Sequence, residues 1–267
     1  MTEGRRRDDL LVRRREVELD PGATRAELRT IPALRAVQPV LRHLLGTFCV
    51  NTSEKIFSIT YDDGPDPVNT PAILDTLRSW DVKVTFFVLA AAAERHPQLI
   101  RRIRDEGHEL ALHGLDHRRL TSMSHRQAVR SVLESRERLE AVAGCSVTLF
   151  RPPYGAFSLR QARSFWSMGL DVVIWSGAAT DWVDAEEETV VGRALDAVHP
   201  GGFLLLHETR ADPETLAPGE ELPTFDRAKV LDRLIEETRA VGYESAPVGT
   251  LLDRFQRVRS IARDRMT

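Results

Sequence analysis

Lys55-Ile56-Phe57-Ser58-Ile59-Thr60-Tyr61-Asp62-Asp63-Gly64-Pro65 holds the pattern that organises the rest of the chain. A run rich in β-branched and aromatic residues gives way to two adjacent carboxylates. Gly and Pro then force a turn, and a segment with apolar residues three and four apart follows. The same order repeats downstream. Candidate strands are Lys55–Tyr61, Lys83–Leu89, Glu109–His113, Ser146–Phe150, Asp171–Trp175, Gly202–His207 and Tyr243–Pro247. Between them the spacing predicts helices over Thr70–Trp80, Pro97–Glu106, Ser124–Gly144, Leu159–Met168, Glu187–Val198 and Asp226–Val241, with Thr250–Ala262 closing the chain. Ser124 before Gln127 forms a capping-box pattern, and Thr70 before Pro71 marks a first turn. The strands read as continuous apolar runs, which suits parallel strands covered by helices. Strand-helix alternation over about 200 residues predicts an α/β chain closed, or nearly closed, as a barrel; an open doubly wound sheet is the alternative.

Composition sets the limits around this core. The chain has 267 residues, 42% hydrophobic and 29% charged, which is ordinary for a globular protein. With 37 Lys and Arg against 40 Asp and Glu, the net charge of −3 provides no basic field for nucleic acid. Cys49 and Cys145 stand alone in apolar settings, so no disulfide framework or CxxC site can form, and buried thiols are expected. The first thirty residues interleave Arg5, Arg6, Arg7, Arg13, Arg14 and Arg15 with acids and lead into no apolar run of signal-peptide length. Val84–Ala93 and Gly201–Leu206 fall far short of the roughly 20 residues that span a bilayer. A cytoplasmic protein without a transmembrane segment is therefore expected. Residues 1–50 read as a partly helical N-terminal extension, in which Pro39 interrupts the stripe Leu34, Val37, Leu41, Leu44 and Leu45. Residues 51–256 form the expected catalytic domain and 257–267 a basic tail. The Pro- and acid-rich stretch Thr209–Thr224 is a long loop expected to border any site.

Chemistry-bearing residues collect where the candidate strands end. Asp62 and Asp63 end the first; successive strand residues point to opposite faces, so two adjacent acids can take different roles, although such a string also makes an ordinary turn. The third ends in His113-Gly114-Leu115-Asp116-His117, and His-x3-His lets two imidazoles converge on one cation. His43, His96, His108, His125 and His199 have no such company and read as surface histidines. After the fourth comes Phe150-Arg151-Pro152-Pro153-Tyr154-Gly155, a rigid turn carrying a cation and a phenol. The fifth leads from Trp175 to Asp181-Trp182, and the sixth ends in Leu205-Leu206-His207-Glu208. Each group by itself has a structural explanation. Together they occupy the carboxyl ends of five strands, the face where (β/α) barrels gather catalytic groups.

In this order, Thr60–Pro65, His113–His117, Arg151–Gly155, Trp175–Trp182 and Leu205–His207 resemble the five motifs of the polysaccharide deacetylases, carbohydrate esterase family 4 or NodB-homology domain. The resemblance runs over about Lys55–Leu252, including Val84–Val88 and Glu106–Glu109, and leaves out residues 1–50. It implies a distorted (β/α)7 barrel that hydrolyses the acetamide of an N-acetylated amino sugar. Carried over position by position, it implies that Asp63, His113 and His117 hold one divalent ion, zinc in the first instance, with cobalt, nickel or manganese able to substitute. Asp62 would be the base and Arg151 its partner, with the Tyr154 backbone N–H as an oxyanion donor. His207 would be the acid, held charged by Asp181, and Trp182 with Leu205 would enclose the acetyl methyl group. Ala178, Gly114 and Ala90 depart from residues the family often has there, which bears on substrate preference. The expected substrate is a soluble N-acetylated sugar, oligosaccharide or glycoside. A deformylase or cyclic amide or imide hydrolase on the same barrel is the alternative. A non-catalytic metal-binding scaffold would have lost a ligand, the base or the acid, and all are present.

Overall fold

The computed structural model describes residues 9–12 and 38–260. The expected helical stripe at Leu34 and Val37 lies outside the described residues. Of that extension the structure shows strand β1 (Leu10–Val12), nearly all of the strand Thr47–Asn51, where no strand was expected, and a four-residue helix, Gln38–Leu41, whose second residue is Pro39. Pro is tolerated there because a first-turn N–H needs no intrahelical partner.

Strands β2 (Thr47–Asn51), β3 (Ile56–Asp62), β4 (Thr85–Leu89), β5 (Glu109–Gly114), β6 (Leu149–Phe150), β7 (Asp171–Val172), β8 (Gly177–Ala178), β9 (Phe203–His207), β10 (Glu244–Ser245) and β11 (Gln256–Ser260) complete the set. Seven lie side by side in the order β7-β6-β5-β4-β3-β9-β8, all parallel, with β10 added alongside β3. One segment supplies both ends of that order. Asp171–Val172 pairs with β6 and Gly177–Ala178 pairs with β9, so the sheet curls until it meets itself across Asp171–Ala178. This is the distorted seven-stranded barrel. Helices Asn69–Ser79, Pro97–Asp105, His125–Ala143, Leu159–Ser167, Glu187–Ala197 and Arg227–Ala240 fall within a residue or two of their expected spans. Ser124 caps the third of these as expected, accepting from the Gln127 backbone while the Gln127 side chain reaches back.

The last expected helix is corrected. Val248–Arg254 is helical, but Gln256–Ser260 is β11, which lies between β1 and β2 in a separate three-stranded sheet. Arg257 is partly exposed while Val258 and Arg259 are both buried across a register shift, so the segment carries no clean period of two that the sequence reading could set against a helical one. Helix Val248–Arg254 packs Val248, Leu251 and Leu252 against Phe87, Ala111, Leu149 and Phe203, stoppering the barrel below the site. Alternation along β5 and β9 then brings His113 and His207 to the same side as Ala111 and Phe203, at the carboxyl ends. Two smaller expectations also change. Cys49 is buried but Cys145 is exposed, and they form no disulfide. His108 and His199 are buried, the first accepting from the Val84 N–H and the second bonded to Ser176.

Candidate active site

Asp62 is the last residue of β3, and Asp63 follows with φ 72°, a left-handed conformation. This turn corrects the expectation of opposite faces. It swings the second carboxylate back to the side of the first, so Asp62 Oδ2 lies 3.7 Å and Asp63 Oδ1 3.4 Å from His113 Nε2. Gly64 is required by what covers it. A Cβ there would lie 1.7 Å from Glu208 Oε2, because the fully buried Glu208 carboxyl sits directly over the turn. Thr70 donates its hydroxyl to Glu208, and the Glu208 N–H donates to the Asp62 carbonyl at 3.1 Å. At the start of the helix that begins at Asn69, Asp66 accepts from the Val68 and Asn69 N–H groups, and Thr70 Oγ1 accepts from the Asp66 N–H at 2.8 Å while donating to Glu208. Burial pushes the Glu208 carboxyl up to about 8, with Asp66, Asp63 and Asp62 adding to the effect against the Thr70 hydrogen bond.

His113 and His117 both offer Nε2 to Asp63. His113 Nδ1 is 2.7 Å from the Arg151 carbonyl, an acceptor, so Nδ1 donates there and Nε2 is the atom turned towards Asp63. His117 Nδ1 lies 3.1 Å from Asp212, and its Nε2 is 3.5 Å from Asp63 Oδ1. Asp63 Oδ1 itself is buried and accepts no hydrogen bond, whereas Oδ2 accepts from the Ala211 N–H at 3.1 Å. Among the described residues these three side chains bring their ligand atoms within 4.8 Å of one another. A buried anionic oxygen without a hydrogen-bond donor is costly, and the two imidazole Nε2 atoms that face it complete a ligand set that suits a divalent cation. Burial works against the Asp63 charge, but His113, His117 and His207 outweigh it and lower its pKa. Burial likewise disfavours a charged His117, yet Asp212 and Asp63 raise it, so a cation entering here displaces a proton.

Arg151, from the turn after β6, is fully buried. Its guanidinium donates to Asp62 Oδ1 at 2.6 Å, to Thr60 at 2.8 Å and to the Ile174 carbonyl at 3.1 Å, over the ring of Phe87 at 3.9 Å. On β9, where His207 is the register partner of Asp62, His207 Nδ1 faces Asp181 Oδ1 at 2.8 Å, and the His207 N–H donates to Asp181 Oδ2 at 2.7 Å. Arg227 joins that pair, donating to Asp181 at 2.9 Å and to the His207 carbonyl at 2.8 Å. Burial disfavours the imidazolium, but Asp181 outweighs it and raises His207 to about 9. Trp182 stands edge-on to His207, ring centres 5.5 Å apart, and Leu205 is buried two residues before it on the same face of β9. Tyr154 occupies a left-handed position, φ 59°, in the turn Pro153–Gly155. Its phenol donates to Asp212, and its ring packs 4.4 Å from that of His117.

All ten expected site residues thus stand together at the carboxyl ends of β3, β5, β6 and β9 and in the turn after β8. Asp212, Arg227 and Glu208 were not singled out. Asp212 lies in the expected loop Thr209–Thr224, but nothing in its neighbourhood marks it out among four acids of that stretch. Of the departures, Gly114 has φ 116°, which explains why no Ser or Thr stands there. Ala178 pairs with Leu205 at the barrel seam, and Ala90 is buried at the start of helix Ala90–Arg95, which was not anticipated.

The chain belongs to the polysaccharide deacetylase family. The model of that family matches residues 50–173. A chitooligosaccharide deacetylase of Sinorhizobium fredii is 37% identical over 69% of this chain and 86% of its own length. The peptidoglycan-N-acetylmuramic acid deacetylase PdaC of Bacillus subtilis is 33% identical over 60% of this chain, which spans 33% of that longer protein. Among solved structures, Bacillus subtilis PdaA, a family 4 carbohydrate esterase, superposes with a TM-score of 0.70 at 27% identity, covering 82% of this chain and 90% of that one. A divalent metal accords with the family and with the Asp63–His113–His117 set. Among the described residues, no helix is long and apolar enough to cross a membrane.

Proposed function

We propose that the protein is a metal-dependent hydrolase that removes the N-acetyl group from an amino-sugar residue of a glycan, releasing acetate and a free amine. The observation that carries this reading is the buried, unpartnered Asp63 Oδ1 facing two imidazole nitrogens whose ring partners are already engaged. Asp63, His113 and His117 would hold the ion, and zinc suits the mixed nitrogen and oxygen set. Such an ion supplies Lewis acidity towards the amide carbonyl and the attacking water.

The remaining chemistry belongs to the side chains around it. Asp62 is fixed through Oδ1 by Arg151 and takes the proton of the attacking water at Oδ2, the oxygen turned towards His113. The Tyr154 N–H donates to the oxygen on which charge develops. An amide nitrogen is far too basic to leave as an anion, so a proton must arrive as the C–N bond breaks. His207 delivers it from Nε2, since Nδ1 is held by Asp181. Trp182 and Leu205 bound a small apolar space beside His207 that takes an acetyl methyl group and is overfilled by longer acyl chains. The names of the relatives support glycans as the substrate class. The test is an assay of the zinc-loaded protein on N-acetylated oligosaccharides and on a wall polymer: acetate and free amine should appear in equal amounts. Formate from a formamide, or ring opening of a cyclic imide, with no acetate released, would replace this reading; metal binding without any turnover would make the protein a scaffold.

A further inference from the structure

Five arginines come within or beside the site, and four have a carboxylate. Arg118 pairs with Asp116, Arg151 with Asp62, Arg210 with Asp212 and Arg227 with Asp181. Arg119 has none among the described residues. It is exposed, two residues after the proposed ligand His117, and its guanidinium lies over the Tyr154 ring at 4.2 Å. That ring is in turn 4.4 Å from the His117 ring. The three groups form a line of contacts, the two rings tilted 46° to each other, that runs outward from the proposed metal site to the surface with a cation at its outer end.

The contact with the Tyr154 ring places this cation without using its hydrogen-bond donors. A guanidinium lying on an aromatic face keeps its N–H groups in the plane of the fork, directed sideways, and the fork matches a carboxylate with two parallel hydrogen bonds. Tyr154 cannot tilt away, because its phenol is tied to Asp212 and Asp212 to His117. A side chain otherwise rich in rotamers is thereby held before any ligand arrives, which lowers the cost of ordering it on binding. Charge balance points the same way: an unmatched positive group sits one aromatic ring away from the proposed reaction centre, on the side open to solvent.

Resting on the deacetylase reading, we propose that Arg119 selects substrates that carry a carboxylate on or next to the N-acetylated sugar residue, binding it through the outer edge of the guanidinium. The chemistry is that of an acidic amino-sugar glycan rather than a neutral one. The carboxylate can come from an ether-linked acid on the reacting ring or from a uronic acid ring beside it. The position of Arg119 just beyond His117 and Tyr154 accommodates either source.

The test uses three N-acetylated oligosaccharides of equal length: neutral, with an ether-linked carboxylate on the reacting ring, and with a uronic acid neighbour. Acetate release by the zinc-loaded protein should give a higher kcat/KM for at least one carboxylate substrate than for the neutral one, through KM. Arg119→Ala should lower the carboxylate-to-neutral ratio of kcat/KM about tenfold, as loss of a charge-assisted hydrogen-bonding group does, and Arg119→Lys should restore part of it. Raising the salt concentration should erode the wild-type preference. Whichever carboxylate substrate loses its advantage in Arg119→Ala identifies the source. Equal kcat/KM for all three substrates, or an equal loss on all three in Arg119→Ala, overturns the proposal and leaves Arg119 as a support for Tyr154. Binding of the same oligosaccharides to zinc-loaded Asp62→Asn protein separates this inference from the one beneath it. Tighter carboxylate binding that needs Arg119, with no acetate released by wild type, upholds Arg119 and overturns the deacetylase reading; binding without preference overturns Arg119 whatever the turnover.

Discussion

Asp62 and Asp63 are adjacent in sequence, yet their surroundings assign them different work. Asp62 is tied to a guanidinium, whereas Asp63 turns an unpartnered oxygen towards two imidazoles. Asp62→Asn should therefore retain bound metal while kcat falls at least about 10²-fold, the lower end of a general-base contribution. Asp63→Asn should lose both, and metal analysis of the two purified variants distinguishes the roles. The opposite pattern would exchange the assignments. His207 offers a second separation by leaving group. His207→Ala should abolish amide hydrolysis but keep much of the activity on an aryl acetate, whose phenolate departs without a proton. Equal losses on both substrates would place the acid elsewhere. Activity should fall at high pH as His207 loses its proton, with a midpoint below the value of about 9 to which Asp181 raises it, since a dication held nearby would repel the proton. Asp181→Asn should move that limb to still lower pH, because the imidazolium loses its main charge partner.

Between elements, the site depends on loops from distant parts of the chain meeting above the barrel. Asp212 follows β9 by a few residues, while His117 follows β5 and Tyr154 follows β6. One carboxylate receives both the His117 N–H and the Tyr154 phenol, and its pKa is lowered by those two bonds against the opposing effect of burial. Such an outer partner orients a ligand and fixes its tautomer. Asp212→Asn should weaken zinc affinity about 10- to 100-fold, read by competition with a chelator, while the fold is kept. Unaltered affinity would reduce Asp212 to a loop tether. The order of strands and helices was plain in the sequence because each apolar run and each helical stripe is a local property. β8, at two residues, and β1, β2 and β11 were not: β8 is too short to leave a period of its own, and the other three form a separate sheet from the two ends of the described chain, so their partners rather than a local pattern define them.

For the molecule as a whole, Glu208 links the acid-bearing turn to stability. Its carboxyl is held protonated in the folded state up to about 8, whereas an unfolded chain releases that proton near an ordinary carboxyl value of 4.5. Between those values the folded state binds more protons, so this group's contribution to stability is largest at low pH and is lost as pH rises through the window. In the metal-free protein, Glu208→Gln should gain melting temperature relative to wild type progressively from about pH 5 to pH 8. A constant difference across that range would show that Glu208 is ionised in the fold. The sequence by itself determined the repeating strand and helix units, the set of polar groups at strand ends, and through their order the family, because hydrophobic period and motif spacing are written along one chain. The tertiary structure alone decided that both acids share one side, that Asp212 and Arg227 stand behind His117 and Asp181, and that Arg119 has no carboxylate partner among the described residues. Those facts depend on the left-handed turn at Asp63 and on loops that meet only when the sheet closes on Asp171–Ala178. Contacts between residues tens to more than a hundred positions apart have no signature in local pattern.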